Sequence, residues 1–238
     1  AASMDGFTSG VTPLIKKGFK ITENAQTVSD ILIDFDILCT APKQMTGAGT
    51  GDILAKFCCL TDWKMSHLLT GESYNEEAAS LMRVALEKCY NNADSICACG
   101  REGIDALLRA LLISGYAMVI AGNSRPASGA EHHMSHFLEM DFLKRGKPIP
   151  LHGIKVGLGT LLRMYKRILE RDLSFEGQEI VARLAAPLPA PEEVARILQA
   201  LGCPTRFSQI GVSKDTVRDM LFNCYKIRDR ITIMTLYN

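Results

Sequence analysis

The sequence predicts a mainly α protein with a short α/β piece in front. Three observations carry this. Convincing strand material is confined to about the first 40 residues, 3.6-residue apolar periodicity fills the remainder, and 47% hydrophobic residues in a 238-residue chain are enough for a sizeable core. We expect a boundary near residue 41, with an α/β piece over residues 1–41 and a helical domain over residues 42–238.

Within the front piece, "GFKIT" and "DILIDFDIL" read as strands, because β-branched and aromatic residues are bounded by polar turns. Beyond Pro42, helices are expected at about 47–69, 75–91, 101–120, 127–143, 153–171, 174–185, 191–201, 214–224 and 229–236. Several have recognisable ends. Pro191 with Glu192 and Glu193 suits a first turn, Gly202 followed by Pro204 suits a stop, and Ser213 with Asp215 suits a start. No repeat of 20–50 residues or low-complexity tract interrupts the pattern.

A formal net charge of +1 with 22% charged residues provides no basic field for nucleic acid and no acidic tail, so small-molecule chemistry is the better expectation. The eight cysteines include no C-x-x-C pair, and most lie among apolar residues, which points to a reducing cytoplasm rather than disulfide staples. No apolar run is expected to reach the ~18 residues of a membrane span, since "ALLRALLISGYAMVIAG" is broken by Arg109, Ser114 and two glycines. The opening "AASMDG" lacks a signal core and reads like the middle of a protein, so we expect a fragment or a processed chain.

The chemistry gathers in "SGAEHHMSHFLEMDF", which holds three of the five histidines. On a helix His132 and His136 share one face, whereas His133 is turned by ~100°. Two imidazoles on one face can share a metal, or one can bind metal while the other handles a proton. The H-E-x-x-H order is absent, which argues against metalloprotease chemistry. Downstream, His152 follows a proline-punctuated loop, and Gly153, Gly157 and Gly159 suggest close packing or ligand approach. Upstream, the glycines of "GAGTGDILAKF" let the backbone come close to something, and Asp52 opens an apolar helical run, as a cap or as a ligand. One carboxylate with two imidazoles is a common catalytic metal set, and Asp52, His132 and His152 would supply it.

Two further segments offer polar groups. In "AGNSRPASG", Arg125 with Ser124 and Ser128 could hold an anion at a helix start, or simply form that start. At the front, "SMDGFTSG" offers Asp5 and Ser9 in a glycine-flanked turn. Trp63, Tyr74 and His67 read as packing residues.

Taken in order, "SMDGFTSG", "GAGTGD", "DWKM", "GESYNEEAA", "AGNSRPASGAEHHMSHFLEM" and "LHGIKVGLGTLL" resemble the sn-glycerol-1-phosphate dehydrogenases of the dehydroquinate synthase-like, iron-containing alcohol dehydrogenase superfamily. The likeness runs from residue 1 to about residue 170, and "NSRPASGAEH" with "SHFLEMD" is its most specific part. It implies an α/β dinucleotide-binding domain, a helical domain and a metal in the cleft between them. It also implies reduction of dihydroxyacetone phosphate to sn-glycerol 1-phosphate with NADH or NADPH, using zinc or nickel. Carried over by residue, Asp52, His132 and His152 would ligate the metal, Asp5 and His136 would touch substrate, and Ala2, Ser3 and Ser9 would line the nicotinamide. His136 is the expected proton relay, and Arg125, Ser124 and Ser128 are the expected phosphate clamp. The family's glycine-rich pyrophosphate loop has no counterpart here, so the front piece is expected to be a remnant of the dinucleotide-binding domain. The competing expectations are a glycerol dehydrogenase-like polyol oxidoreductase of the same fold, or a non-catalytic metal-binding helical domain. No nucleic-acid or membrane partner is expected, and a homo-oligomer is left open.

Overall fold

The computed structural model describes residues 8–16, 19–162, 164–170 and 177–238. Two antiparallel strands, β1 (Val11–Lys16) and β2 (Phe19–Asn24), form a hairpin in the register Val11 to Asn24 and Lys16 to Phe19. Helices follow as α1 (Phe35–Leu38), α2 (Lys43–Thr70), α3 (Glu76–Asn91), α4 (Ala93–Ala98), α5 (Arg101–Ala121), α6 (Ala130–Lys144) and α7 (His152–Thr160). The C-terminal part adds α8 (Met164–Leu169), α9 (Gln178–Ala185), α10 (Pro191–Ala200), α11 (Lys214–Asn223) and α12 (Ile233–Tyr237). The fold is mainly α, as expected.

The differences lie at the front. "DILIDFDIL" is not a strand: its last residues form the single turn α1, because Asp34 Oδ1 accepts from the Asp36 and Ile37 amides and caps it. Leu32 is 99% exposed, so the apolar run before that turn has no face to cover. The partner of "GFKIT" is instead "VTPLIK", where Pro13 stands opposite Thr22. A hairpin tolerates proline because each strand has a free outer edge.

Elsewhere the expected ends are met. Pro191, Glu192 and Glu193 open α10, Gly202 adopts a left-handed φ of 70° just after it, and Ser213 Oγ accepts from the Thr216 amide to start α11. The run expected at 153–171 divides into α7 and α8, and α4 is additional. Helix α5 is long and apolar enough, by length and composition, to cross a membrane, contrary to the expectation that no run reaches that length. In this fold it packs against α3 and buries Leu107, Ala110 and Leu111 in the core.

The largest correction concerns "GAGTGD". These residues are not a loop opening a helix but the second and third turns of α2, so Asp52 lies inside the helix. Each interior glycine costs roughly 0.5–1 kcal/mol relative to alanine, and tertiary contact outweighs it. A Cβ on Gly153 would stand 1.7 Å from the Ala48 carbonyl oxygen, and one on Gly51 would stand 2.6 Å from the Gly153 carbonyl oxygen. Glycine therefore brings α2 and α7 into backbone contact. A core of Ile53, Leu54, Leu107, Leu158 and Leu198 packs around that contact, while a second core containing Met134, Leu138, Ile168 and Met220 lies under α6.

Candidate metal centre

Three helices bring the expected trio together. Asp52 comes from α2, His132 from α6 and His152 from the first position of α7. One ligand atom from each lies within 4.8 Å of the others. His132 Nε2 is 3.5 Å and His152 Nε2 is 4.0 Å from Asp52 Oδ1, and the two rings are 5.1 Å apart between centroids. Asp52 is buried, whereas the His152 side chain keeps 26% exposure and leaves the cluster an open side.

Electrostatics explain why this cluster suits a cation. Burial alone would raise the Asp52 carboxyl, but the Lys56 ammonium at 2.8 Å and the two imidazoles outweigh it and hold the group well below its ordinary value. Its second oxygen, Oδ2, is buried without a hydrogen-bond partner among the described residues. His132 turns Nδ1 to Glu131 Oε1 at 2.7 Å, and His152 turns Nδ1 to Ser135 Oγ at 3.4 Å. In the neutral rings a proton at Nδ1 leaves Nε2 as a lone pair facing an anionic carboxylate. Two imidazoles that turn Nε2 towards a carboxylate with an orphaned oxygen, at these spacings, fit a divalent cation.

His136 sits beside the trio, with its ring centroid 6.3 Å from that of His132 and 6.0 Å from that of His152. Its Nδ1 faces Glu139 at 3.8 Å, and Lys155 Nζ faces the same carboxylate at 3.7 Å. His133, from the same sequence cluster, points elsewhere. It is buried with neither ring nitrogen hydrogen-bonded, and burial drives its pKa down to about 3.

The three residues expected to clamp an anion lie in the turn that precedes α6. Arg125 is 2% exposed, and its guanidinium is committed to the Glu72 carboxylate and the Ile231 carbonyl. A buried cation needs its counter-ion close by, and Glu72 supplies it. Ser124 Oγ accepts from Arg228 at 3.2 Å, and Ser128 is buried. Ser9 is buried just ahead of β1, while Ala2, Ser3 and Asp5 lie outside the described residues.

Sequence reasoning missed Lys56, although its place one turn after Asp52 was a signal. It also missed Asp62, which nothing in "TDWKM" singles out. Asp62 is buried and accepts from the Ala130 and Ile233 amides at 2.7 Å and from Tyr165 Oη at 2.5 Å. Burial and the nearby Glu131 charge outweigh those bonds and raise its pKa to about 7. For Glu131 burial pulls upward, but the bond from His132 and others prevail and bring it to about 2. All eight cysteines are free thiols.

No family model matches the chain. The NAD(P)+ glycerol-1-phosphate dehydrogenase of Bacillus licheniformis is 38% identical over 241 residues, covering 100% of this chain and 60% of that protein. The enzyme of the same name from Halalkalibacterium halodurans is 37% identical over 253 residues, covering 100% of this chain and 63% of its own length. Among solved structures, an iron-containing alcohol dehydrogenase from Corynebacterium glutamicum superposes with a TM-score of 0.65 at 16% identity, over 98% of this chain and 60% of that one.

The chain thus has the helical fold seen in that iron-containing alcohol dehydrogenase, here with a carboxylate and two imidazoles brought to one point. The chain is similar along its whole length to curated glycerol-1-phosphate dehydrogenases and spans about 60% of their length.

Proposed function

We propose that this chain is the metal- and substrate-binding part of an NAD(P)-linked sn-glycerol-1-phosphate dehydrogenase, which reduces dihydroxyacetone phosphate to sn-glycerol 1-phosphate. The observation that carries the reading is the meeting of Asp52, His132 and His152 within 4.8 Å, from positions as much as 100 residues apart. The relatives' shared name supports the reaction class. These three side chains would hold a divalent cation, zinc or nickel, which when bound polarises a carbonyl oxygen and supports the negative charge that develops on it.

The chain's own residues supply the rest. Glu131 and Ser135 hold His132 and His152 with their Nε2 atoms inward. His136, one turn beyond His132, is placed to hold or deliver the proton that the product hydroxyl requires. Asp5 would bind a substrate hydroxyl, and Ala2, Ser3 and Ser9 would line the nicotinamide, the hydride donor.

Metal content after dialysis tests this directly. The wild-type chain should retain close to one equivalent, His132→Ala should retain none, and His136→Ala should retain metal yet slow turnover of the full-length enzyme by roughly 100-fold. Equal metal in wild type and His132→Ala would remove the proposal. Turnover of dihydroxyacetone as fast as of its phosphate would shift the reading to a polyol dehydrogenase.

A further inference from the structure

We propose that Glu131 is a positioning residue that selects which nitrogen of His132 is offered to the cation. This inference rests on the metal reading above. Glu131 Oε1 lies 2.7 Å from His132 Nδ1, 2.9 Å from the Gly129 amide nitrogen and 2.8 Å from Cys59 Sγ. A carboxylate oxygen can only accept, so all three contacts require donors: an N–H from Gly129, an S–H from Cys59 and an N–H at His132 Nδ1. With the proton fixed at Nδ1, the lone pair is at Nε2, the nitrogen that faces Asp52. The ring cannot exchange its nitrogens without setting a bare Nδ1 against an anionic carboxylate.

The carboxylate is itself held in place. The Gly129 amide and the Cys59 thiol come from the start of α6 and the middle of α2, so Oε1 is anchored to two of the three helices that carry the trio. A Cβ on Gly129 would stand 3.0 Å from Cys59 Cα and 3.1 Å from Glu131 Oε2, which shows how closely the two helices enclose the group. His133 provides an internal contrast. It neighbours His132 in sequence and is also buried, but among the described residues neither ring nitrogen has a hydrogen-bond partner, so no hydrogen bond selects its tautomer.

Cys59, Glu131 and His132 could also be read as a second ligand trio, because their donor atoms lie within 4.8 Å of one another. The spacing argues against that. Two nitrogen or oxygen ligands bound tetrahedrally at about 2.0–2.1 Å stand roughly 3.3 Å apart. The 2.7 Å between His132 Nδ1 and Glu131 Oε1 is a hydrogen-bond distance with no room for an ion between them.

The test is zinc affinity of the 238-residue chain, measured by competition with a chromophoric chelator, with nitrogen-15 NMR of the histidine rings in the metal-free protein. Glu131→Gln keeps a neutral acceptor and should weaken zinc roughly 10-fold, and Glu131→Leu removes the acceptor and should weaken it roughly 100-fold. Wild-type His132 should show its proton on Nδ1, and Glu131→Leu should show a mixture of tautomers, which a merely structural role would not produce. Circular dichroism of the metal-free variants checks folding, and if the leucine variant does not fold, the glutamine variant decides. Wild-type affinity in the folded variants, or a wild-type ring protonated on Nε2, would overturn the positioning role while leaving the metal site intact. Two equivalents of zinc in wild type falling to one in Glu131→Gln would also overturn it, by making Glu131 a ligand. A wild-type chain that binds no zinc would overturn the metal reading itself, and this inference with it.

Discussion

Asp52 and Asp62 stand on the same helix, both buried, and their surroundings assign them opposite tasks. The hydrogen-bond partners of Asp62 among the described residues are all donors that the protein supplies: two backbone amides and a phenol. Its bonds tie α2 to the start of α6 and to Ile233 at the start of α12. Around Asp52 the side chains facing it are one ammonium and two imidazole nitrogens, and one carboxylate oxygen has no partner. A buried carboxylate whose needs are met internally is a staple, and one whose needs are left open is a socket.

Exchanging the loss between the two sites is the sharpest way to break this comparison. Asp52→Ala should lower zinc affinity by at least about 100-fold and leave the fold in place, as read by chelator competition and circular dichroism. Asp62→Ala should do the reverse. It strands two buried amides and a buried hydroxyl, so urea unfolding should show a loss of about 3 kcal/mol, with zinc still bound to the folded fraction. A variant pair with these two results exchanged would refute the division of roles.

The pH dependence of stability sharpens it further. Asp62 titrates at about 7 when folded and at ~3.9 when unfolded, so the folded chain binds the extra proton across that window and stability falls as pH rises through it. His133 does the opposite. Its folded value of about 3 lies below the unfolded ~6.5, so stability is lost as pH falls from 6.5 towards 3. Between about pH 4.5 and 6.5 the two slopes oppose each other, and metal-free wild type should vary little. Asp62→Asn removes one slope, so its stability should climb with pH across that range by on the order of 2 kcal/mol in urea titrations at stepped pH. A flat profile in the variant would show that Asp62 does not hold its proton there.

The smallest effect belongs to the residue that neither site uses. His133→Leu removes two buried ring nitrogens that have no hydrogen bond, and should raise stability at pH 7 by about 1 kcal/mol in the same unfolding assay.

The three residues that the structure brings together were legible as candidates because each of their segments carries a local mark. His132 and His136 announce a face by their spacing, and His152 is framed by glycines that proved to mark a close helix contact. The fold class was legible for the same reason, since 3.6-residue periodicity needs no long-range information. What failed depended on partners. "DILIDFDIL" has strand composition but no strand beside it, and Asp34 turns its end into a capped helical turn. "GAGTGD" has loop composition, and its close packing against α7 and against Leu201 and Cys203 could not be read from it. Arg125 likewise gave no local sign of its pairing with Glu72, 53 residues earlier in the chain. Asp62 carried no local mark, because its donors come from Ala130, Tyr165 and Ile233.

The meeting of α2 and α7 through Gly51 and Gly153 sets the gauge of the socket. Because main chain rests on main chain there, no rotamer change can widen or narrow the gap between the turns that bear Asp52 and His152. The seat of α6 is as close, with Gly159 against the Glu131 backbone and Gly129 against Cys59 Cα, so main-chain contacts space all three turns that carry the trio.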